Sequence, residues 1–137
     1  MAFRPTTLLA TAALSFAALF ATAARADEFT TKNVDEWQAQ FDIVAKDGRA
    51  LWTSPELGTN GVVCAQCHPN AANTHPETYP KFQKQMGRVA ALWEMVNWCI
   101  ENPLEGKALA ADDPKMIAIQ AYVTKERRGV ALAPGKH

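Results

Sequence analysis

The five residues Cys64-Ala65-Gln66-Cys67-His68 constrain this chain more than anything else in it. They read C-x-x-C-H, the spacing by which a polypeptide captures haem covalently. Two thiols three positions apart each add to a haem vinyl group, giving two thioethers. The histidine directly after the second thiol then lies under the iron and supplies an axial nitrogen. A C-x-x-C pair also occurs as a zinc half-site or a redox disulfide. Zinc would need a second pair of ligands at regular spacing, and Cys99, His75 and His137 are scattered. A redox dithiol of the thioredoxin kind would need a βαβ context, of which the sequence gives no sign.

The residues before the motif read as an export signal. Arg4 gives a short basic start, and an apolar run from Leu8 to Phe20 follows. Ala24-Arg25-Ala26 then supplies an A-x-A cleavage site, with Asp27 as the first mature residue. The apolar run is too short to span a bilayer comfortably, which argues against an uncleaved anchor. Nothing later in the chain is apolar for long enough to span. The expected organisation is a cleaved signal peptide over 1–26 and one small domain over 27–137. An export signal together with covalent haem places the mature chain in a bacterial periplasm.

Lys and Arg balance Asp and Glu over the 137 residues, and without Arg4 and Arg25 the balance is 12 basic to 14 acidic. That leaves no nucleic-acid footprint and no strong membrane attraction. A small domain has a thin core, to which a buried haem would add much apolar surface.

Helices are placed by their punctuation. Asn33-Val34-Asp35 offers an N-cap, followed by Trp37, Phe41, Val44 and Ala45 at helical spacing. Gly48-Arg49-Ala50-Leu51-Trp52 leads through Pro55, Gly58 and Gly61 into the haem motif. A second helix is expected from about Tyr79 to Glu101, with Leu92, Val96, Cys99 and Ile100 on one face and Asn102-Pro103 ending it. Asp112-Asp113-Pro114 caps a last helix whose buried stripe reads Ile117, Ala118, Ala121 and Tyr122, and which stops near Arg127-Arg128-Gly129. No strand signal and no internal repeat is evident, and the tail Ala131–His137 reads as loosely held.

This order of elements resembles the class I cytochrome c fold, an all-α domain wrapped around one covalently attached haem. In that family an N-terminal helix packs on a C-terminal helix and C-x-x-C-H follows the first. Gly48-x-x-Leu51-Trp52 and Ala121-Tyr122-Val123 fit its packing positions.

The second axial ligand decides the chemistry. A methionine thioether would raise the reduction potential, and Met86, Met95 and Met116 are the candidates. Met86 comes early, Met116 falls in the first turn of the last helix, and Met95 shares the face of Cys99. A methionine on an apolar helical face is usually packing. Cys99 is the odd thiol once Cys64 and Cys67 hold haem, and an odd cysteine in an exported chain calls for an explanation. A buried inert thiol and an intermolecular disulfide are the plain ones.

The surrounding stretch, Asn97-Trp98-Cys99 through Gly106-Lys107 to Asp112-Asp113-Pro114-Lys115-Met116, resembles SoxA-type cytochromes and the related thiosulfate dehydrogenases. Tyr79-Pro80 is similar to that family too. The resemblance implies that Cys99 ligates the iron opposite His68. A thiolate stabilises ferric iron, so the potential would be low, and a thiolate able to leave the iron would be nucleophilic. Two departures stand out. The family usually carries a second haem, in its own chain or in a partner, and this chain has a single C-x-x-C-H. It also tends to place an arginine four residues before the cysteine, where Met95 stands here; Arg88 and Lys107 are the candidate substitutes.

Three readings follow. The first is a periplasmic monohaem cytochrome with His68/Cys99 ligation that transfers electrons, as one half of a heterodimer with another haem protein. The second is a subunit acting on thiosulfate or sulfite, with Cys99 in covalent chemistry. The third is a His/Met electron shuttle with Cys99 in the core. The missing arginine favours a carrier or haem-bearing subunit over a complete enzyme. A ligand-sensing haem with an open sixth site fits less well, because Cys99 lies on an inward-facing stripe. Trp37, Trp52, Trp93 and Trp98 are read as pocket and core packing. His75 and His137 are read as exposed, with His75 a distant ligand candidate. Lys81, Lys84 and Arg88 are read as a solvated helical face, or as a basic rim able to steer an acidic redox partner.

Overall fold

The computed structural model describes residues 29–132. The signal peptide expected over 1–26, the start of the domain at Asp27, His137 and most of the tail lie outside the described residues. Among the described residues there are four helices and one small hairpin: α1 (Thr31–Thr53), α2 (Cys64–Cys67), β1 (Lys81–Gln83), β2 (Arg88–Ala90), α3 (Leu92–Glu101) and α4 (Pro114–Arg127), with short 3-10 turns between them. The architecture is the mostly helical one of a class I cytochrome, with a two-stranded antiparallel sheet added.

The α1 helix begins two residues before Asn33. Thr30 is its N-cap, accepting from the Asn33 amide at 3.2 Å, while Asn33 Oδ1 accepts from the Thr30 amide at 3.1 Å. The asparagine read from sequence as a cap is thus the third residue of a reciprocal capping box. The helix then runs unbroken through Gly48 to Trp52, which had been read as the approach to a loop.

Helices α1 and α4 form the principal contact of the fold. Gly48 makes it close: a Cβ there would lie 1.9 Å from the Ala118 carbonyl oxygen and 2.8 Å from the Tyr122 Cβ. Helix α4 follows its punctuation, with Asp113 Oδ1 accepting from the Lys115 amide at 2.8 Å and Pro114 in the first turn. Its buried face is Met116, Ala118, Ile119, Ala121, Tyr122 and Val123, whereas Ile117 is 47 % exposed. Met116, one of the candidate ligands, is fully buried core.

At 23 residues, α1 is about 34 Å long against about 21 Å for α4, and its first turns overhang. Trp37 sits on this overhang at 51 % exposure, stacked edge-on against Phe29. It is not core packing, as the sequence reading had it.

The helix expected over Tyr79–Glu101 covers only its second half. Tyr79–Pro80 is a cis peptide, and residues 81–90 form a hairpin with Lys81 opposite Ala90, Phe82 opposite Val89 and Gln83 opposite Arg88. Gly87, at φ +65°, turns the chain, its amide donating to the Gln83 carbonyl at 2.9 Å. Lys81, Lys84 and Arg88 therefore lie on a hairpin and not on a helical face.

The loops flanking the haem motif and α3 are tied together. Thr59 donates from its amide to the Leu104 carbonyl (3.0 Å) and from its hydroxyl to that of Glu105 (2.9 Å), and Asn60 Nδ2 donates to that of Pro103 (3.0 Å). Gly58 and Gly106 permit this approach, since a Cβ at either would meet backbone oxygen near 2 Å (2.2 and 1.9 Å).

Candidate haem site

Helix α2 is a single turn, and that turn is the haem motif itself. Gln66, the second variable residue of C-x-x-C, caps it: its Oε1 accepts from the Val63 amide at 2.9 Å. The His68 amide closes the turn on the Cys64 carbonyl at 3.0 Å. One helical turn puts residues three apart on one side, so Cys64 and Cys67 both face a cavity of about 360 Å³. Cys64 is half-buried and Cys67 exposed, so this edge of the site reaches the surface.

His68 is held on two sides. Its Nδ1 donates to the Ala72 carbonyl at 2.8 Å, which fixes the tautomer and leaves the Nε2 lone pair for a metal. Its own carbonyl accepts from the Trp52 indole at 2.9 Å. Trp52 stacks in turn on Tyr122, with ring centroids 5.6 Å apart, so the α1–α4 core braces the ligand. The chain reaches Ala72 through left-handed conformations at Asn70 (φ 50°) and Ala71 (φ 55°), and Asn73 follows at φ 62°. Asparagine tolerates these angles; alanine does so at a cost of about 1–2 kcal/mol.

A second wall comes from α3 and the hairpin. Leu92, Met95, Val96 and Cys99 line the cavity from α3, joined by Trp98, while Ile100 of the same stripe turns into the core. Tyr79, Lys81 and Gln83 line it from the hairpin side. Burial, followed by the charges of Cys64 and Cys67, pushes the Cys99 thiol up to about 11. A thiolate there needs a cation to hold it, and iron is such a cation.

Asn97, 7 % exposed, anchors this wall. Its Nδ2 donates to the Leu109 carbonyl at 2.8 Å and its Oδ1 accepts from the Leu109 amide at 2.9 Å, as a strand would. The first residue of N-x-C thus fixes the loop between α3 and α4. In the sequence alone this asparagine carries no signal of that role.

Cys64, Cys67, His68 and Cys99 therefore share one cavity, with Met95 one turn from Cys99. Met86, on the hairpin turn, and Met116 do not line it. Trp52 and Trp98 do; Trp93 is half-buried elsewhere. Arg88 is no substitute for the missing arginine, because it pairs with Glu94 at 2.7 Å, and Lys107 is exposed and outside the lining. The cation that does line the cavity is Lys81, which had been read as solvated. His75 is neither exposed nor in the lining: its side chain is 13 % exposed and its Nδ1 lies 3.2 Å from Glu77.

The donor set fits haem. Two thiols stand at one edge, a tautomer-fixed imidazole on one wall, a sulfur on the other, and the lining between is chiefly apolar. The described residues hold no helix long and apolar enough to cross a membrane. Residues 47–132 match the family described as the SoxA/TsdA cytochrome c domain. Two curated relatives are thiosulfate dehydrogenases. That of Allochromatium vinosum is 32% identical over 90 residues, covering 57% of this chain and 33% of its own length. That of Psychrobacter arcticus is 32% identical over 73 residues, covering 47% of this chain and 22% of its own. The chain thus spans a third or less of the length of these relatives. Matched across both walls of the cavity, the chain belongs to the SoxA/TsdA cytochrome c domain family, whose members bind haem c covalently.

Proposed function

We propose that this domain carries one haem, bound through Cys64 and Cys67 and ligated axially by His68 and Cys99, and passes electrons at low potential in the periplasm. The observation that carries the reading is that Cys99 lines the same cavity as Cys64, Cys67 and His68. The haem supplies the redox chemistry when bound. The chain's own residues do the rest. His68 is oriented by Ala72 and Trp52, Cys99 supplies a thiolate that favours the ferric state, and apolar walls exclude water. Exposed Cys67 leaves one edge of the site open to a redox partner. A single C-x-x-C-H fits a one-electron carrier that works beside a second haem protein in a heterodimer.

Low-temperature EPR of the ferric haem-loaded protein, wild type beside Cys99→Ala, tests the ligation. A low-spin thiolate signature that disappears in the variant is the expected result. An unchanged spectrum with the near-infrared band of methionine ligation would replace the reading with a His68/Met95 shuttle, the one methionine in the lining being Met95.

The relatives' name supports a second reading, in which Cys99 acts on a sulfur compound. Turnover of thiosulfate with an artificial electron acceptor would establish it. The carrier reading expects none, because Met95 replaces the arginine and Arg88 is committed to Glu94.

A further inference from the structure

Tyr79, Lys81 and Gln83 alternate along an extended segment and all line the cavity, while Phe82 between them faces outward at 65 % exposure. Gln83 is only 8 % exposed, and its Nε2 donates to the Tyr79 hydroxyl oxygen. Lys81 Nζ sits 4.6 Å from the centroid of the Tyr79 ring. Each contact acts on the phenol. The Gln83 bond occupies the oxygen as an acceptor and fixes it in place, so the hydroxyl proton is the part still to be placed. The ammonium over the ring draws on its π-density and makes the O–H a better donor. Among the described residues Gln83 is the hydroxyl's hydrogen-bond partner, and a buried tyrosine O–H usually finds an acceptor as well.

Cys99 is the acceptor at hand. It lines the same cavity as Tyr79 and Gln83. A phenol, with an ordinary pKa of about 10, is a hydrogen-bond donor at neutral pH.

We propose that Tyr79 donates a hydrogen bond to the Cys99 sulfur when that sulfur holds the haem iron, with Gln83 as the residue that positions the hydroxyl. This rests on the His68/Cys99 reading above. A donor on a thiolate withdraws electron density from it, weakens its donation to iron and raises the reduction potential relative to a bare thiolate. Tyr79 thus sets how low the potential falls, and Lys81 strengthens the effect through the ring.

The test compares wild type, Tyr79→Phe and Gln83→Leu as haem-loaded protein, by redox titration, EPR and resonance Raman of the iron–sulfur stretch in H2O and D2O. Tyr79→Phe removes one oxygen and keeps the ring under Lys81. The expected result is a thiolate EPR signature in all three and a wild-type iron–sulfur band that moves in D2O. In Tyr79→Phe that isotope shift is lost and the stretch is stronger. The ferric/ferrous equilibrium constant of Tyr79→Phe moves toward ferric by about tenfold, equivalent to about 59 mV for one electron. Gln83→Leu falls between the two. Should Tyr79→Phe fail to fold, the D2O shift in wild type and its reduction in Gln83→Leu read the same bond. Thiolate EPR with no D2O shift in wild type and an unmoved potential in the variants overturns the proposal alone. Absence of thiolate EPR in wild type overturns the ligation reading beneath it.

Discussion

The wall carrying His68 and the wall carrying Cys99 face the same cavity, yet they are held in place by different means. His68 follows the haem turn directly, and Trp52 of α1, packed on Tyr122 of α4, accepts no slack in it. That wall inherits its rigidity from a tight helix pair. Cys99 sits on a ten-residue helix that meets α4 only slightly and is fixed by polar clamps. Asn97 grips Leu109, and Thr59 and Asn60 grip the loop after α3. The first wall is a packing problem solved by small residues. The second is a hydrogen-bonding problem solved by amides and hydroxyls.

Gly48→Val gives the largest expected effect, and it falls on the His68 wall. Even a methyl group at this position meets a backbone oxygen, which cannot move as a side chain tip can. Overpacking of this kind costs about 1–3 kcal/mol and occasionally more; a clash with the Ala118 backbone and the Tyr122 Cβ together belongs at the upper end. Urea unfolding of the haem-loaded protein should show a loss of about 3 kcal/mol, or no folded protein at all. Wild-type stability in Gly48→Val would mean that the helix pair is not what braces His68.

Asn97→Leu strikes the other wall. It leaves the Leu109 N–H and C=O without their partner, at a cost of about 1–3 kcal/mol. The comparison expects a local consequence. Hydrogen exchange should accelerate at Leu109 and along the loop between α3 and α4, while α1 and α4 stay protected. The Cys99 signature in EPR should become heterogeneous. Uniform loss of protection throughout the domain would show the two walls to be one cooperative unit.

The same contrast explains what could be read from the sequence. The His68 wall was legible because its signals are local or chemically unique: C-x-x-C-H, the Asp113-Pro114 cap, Gly48 three residues before Leu51. Cys99 was legible through the family's N-x-C stretch and the stripe Leu92, Val96, Cys99. The hairpin was not. Its pattern is inverted, with polar Lys81 and Gln83 turned inward and apolar Phe82 and Val89 at 65 % and 61 % exposure turned outward. Binary patterning assumes that the inside is apolar, whereas here the inside is a cavity that Lys81 and Gln83 line. Pro80 and Gly87 were visible as breakers, but the helical stripe beginning at Leu92 was extended backwards across them. The exposed Trp37 escaped for a related reason: it continues the face of Ala45 and Trp52, and sequence does not say where the partner helix ends.

The smallest effect lies where hairpin and α3 meet. Glu94 pairs with Arg88 at 2.7 Å, and its other oxygen accepts from the Ala91 amide at 2.7 Å, capping α3. The Arg88 hydrogen bond, then the Ala91 amide, hold the Glu94 carboxyl below its ordinary 4.5. A group whose folded value is depressed stabilises the fold above its unfolded value, and that stabilisation is lost as pH falls through the folded value. Wild type should therefore lose this contribution only below about pH 4.5. Glu94→Gln keeps an oxygen for the Ala91 amide and removes the charge, so it isolates the ion pair from the cap. Because the pair is partly exposed, Arg88 at 52 % and Glu94 at 21 %, the difference from wild type should be small at neutral pH and shrink with added salt. It should vanish in acid. A large, salt-insensitive loss at neutral pH would show instead that the hairpin is pinned to α3 by this one pair, and that the Cys99 wall depends on charge where the clamps at Asn97 and Thr59 were expected to suffice.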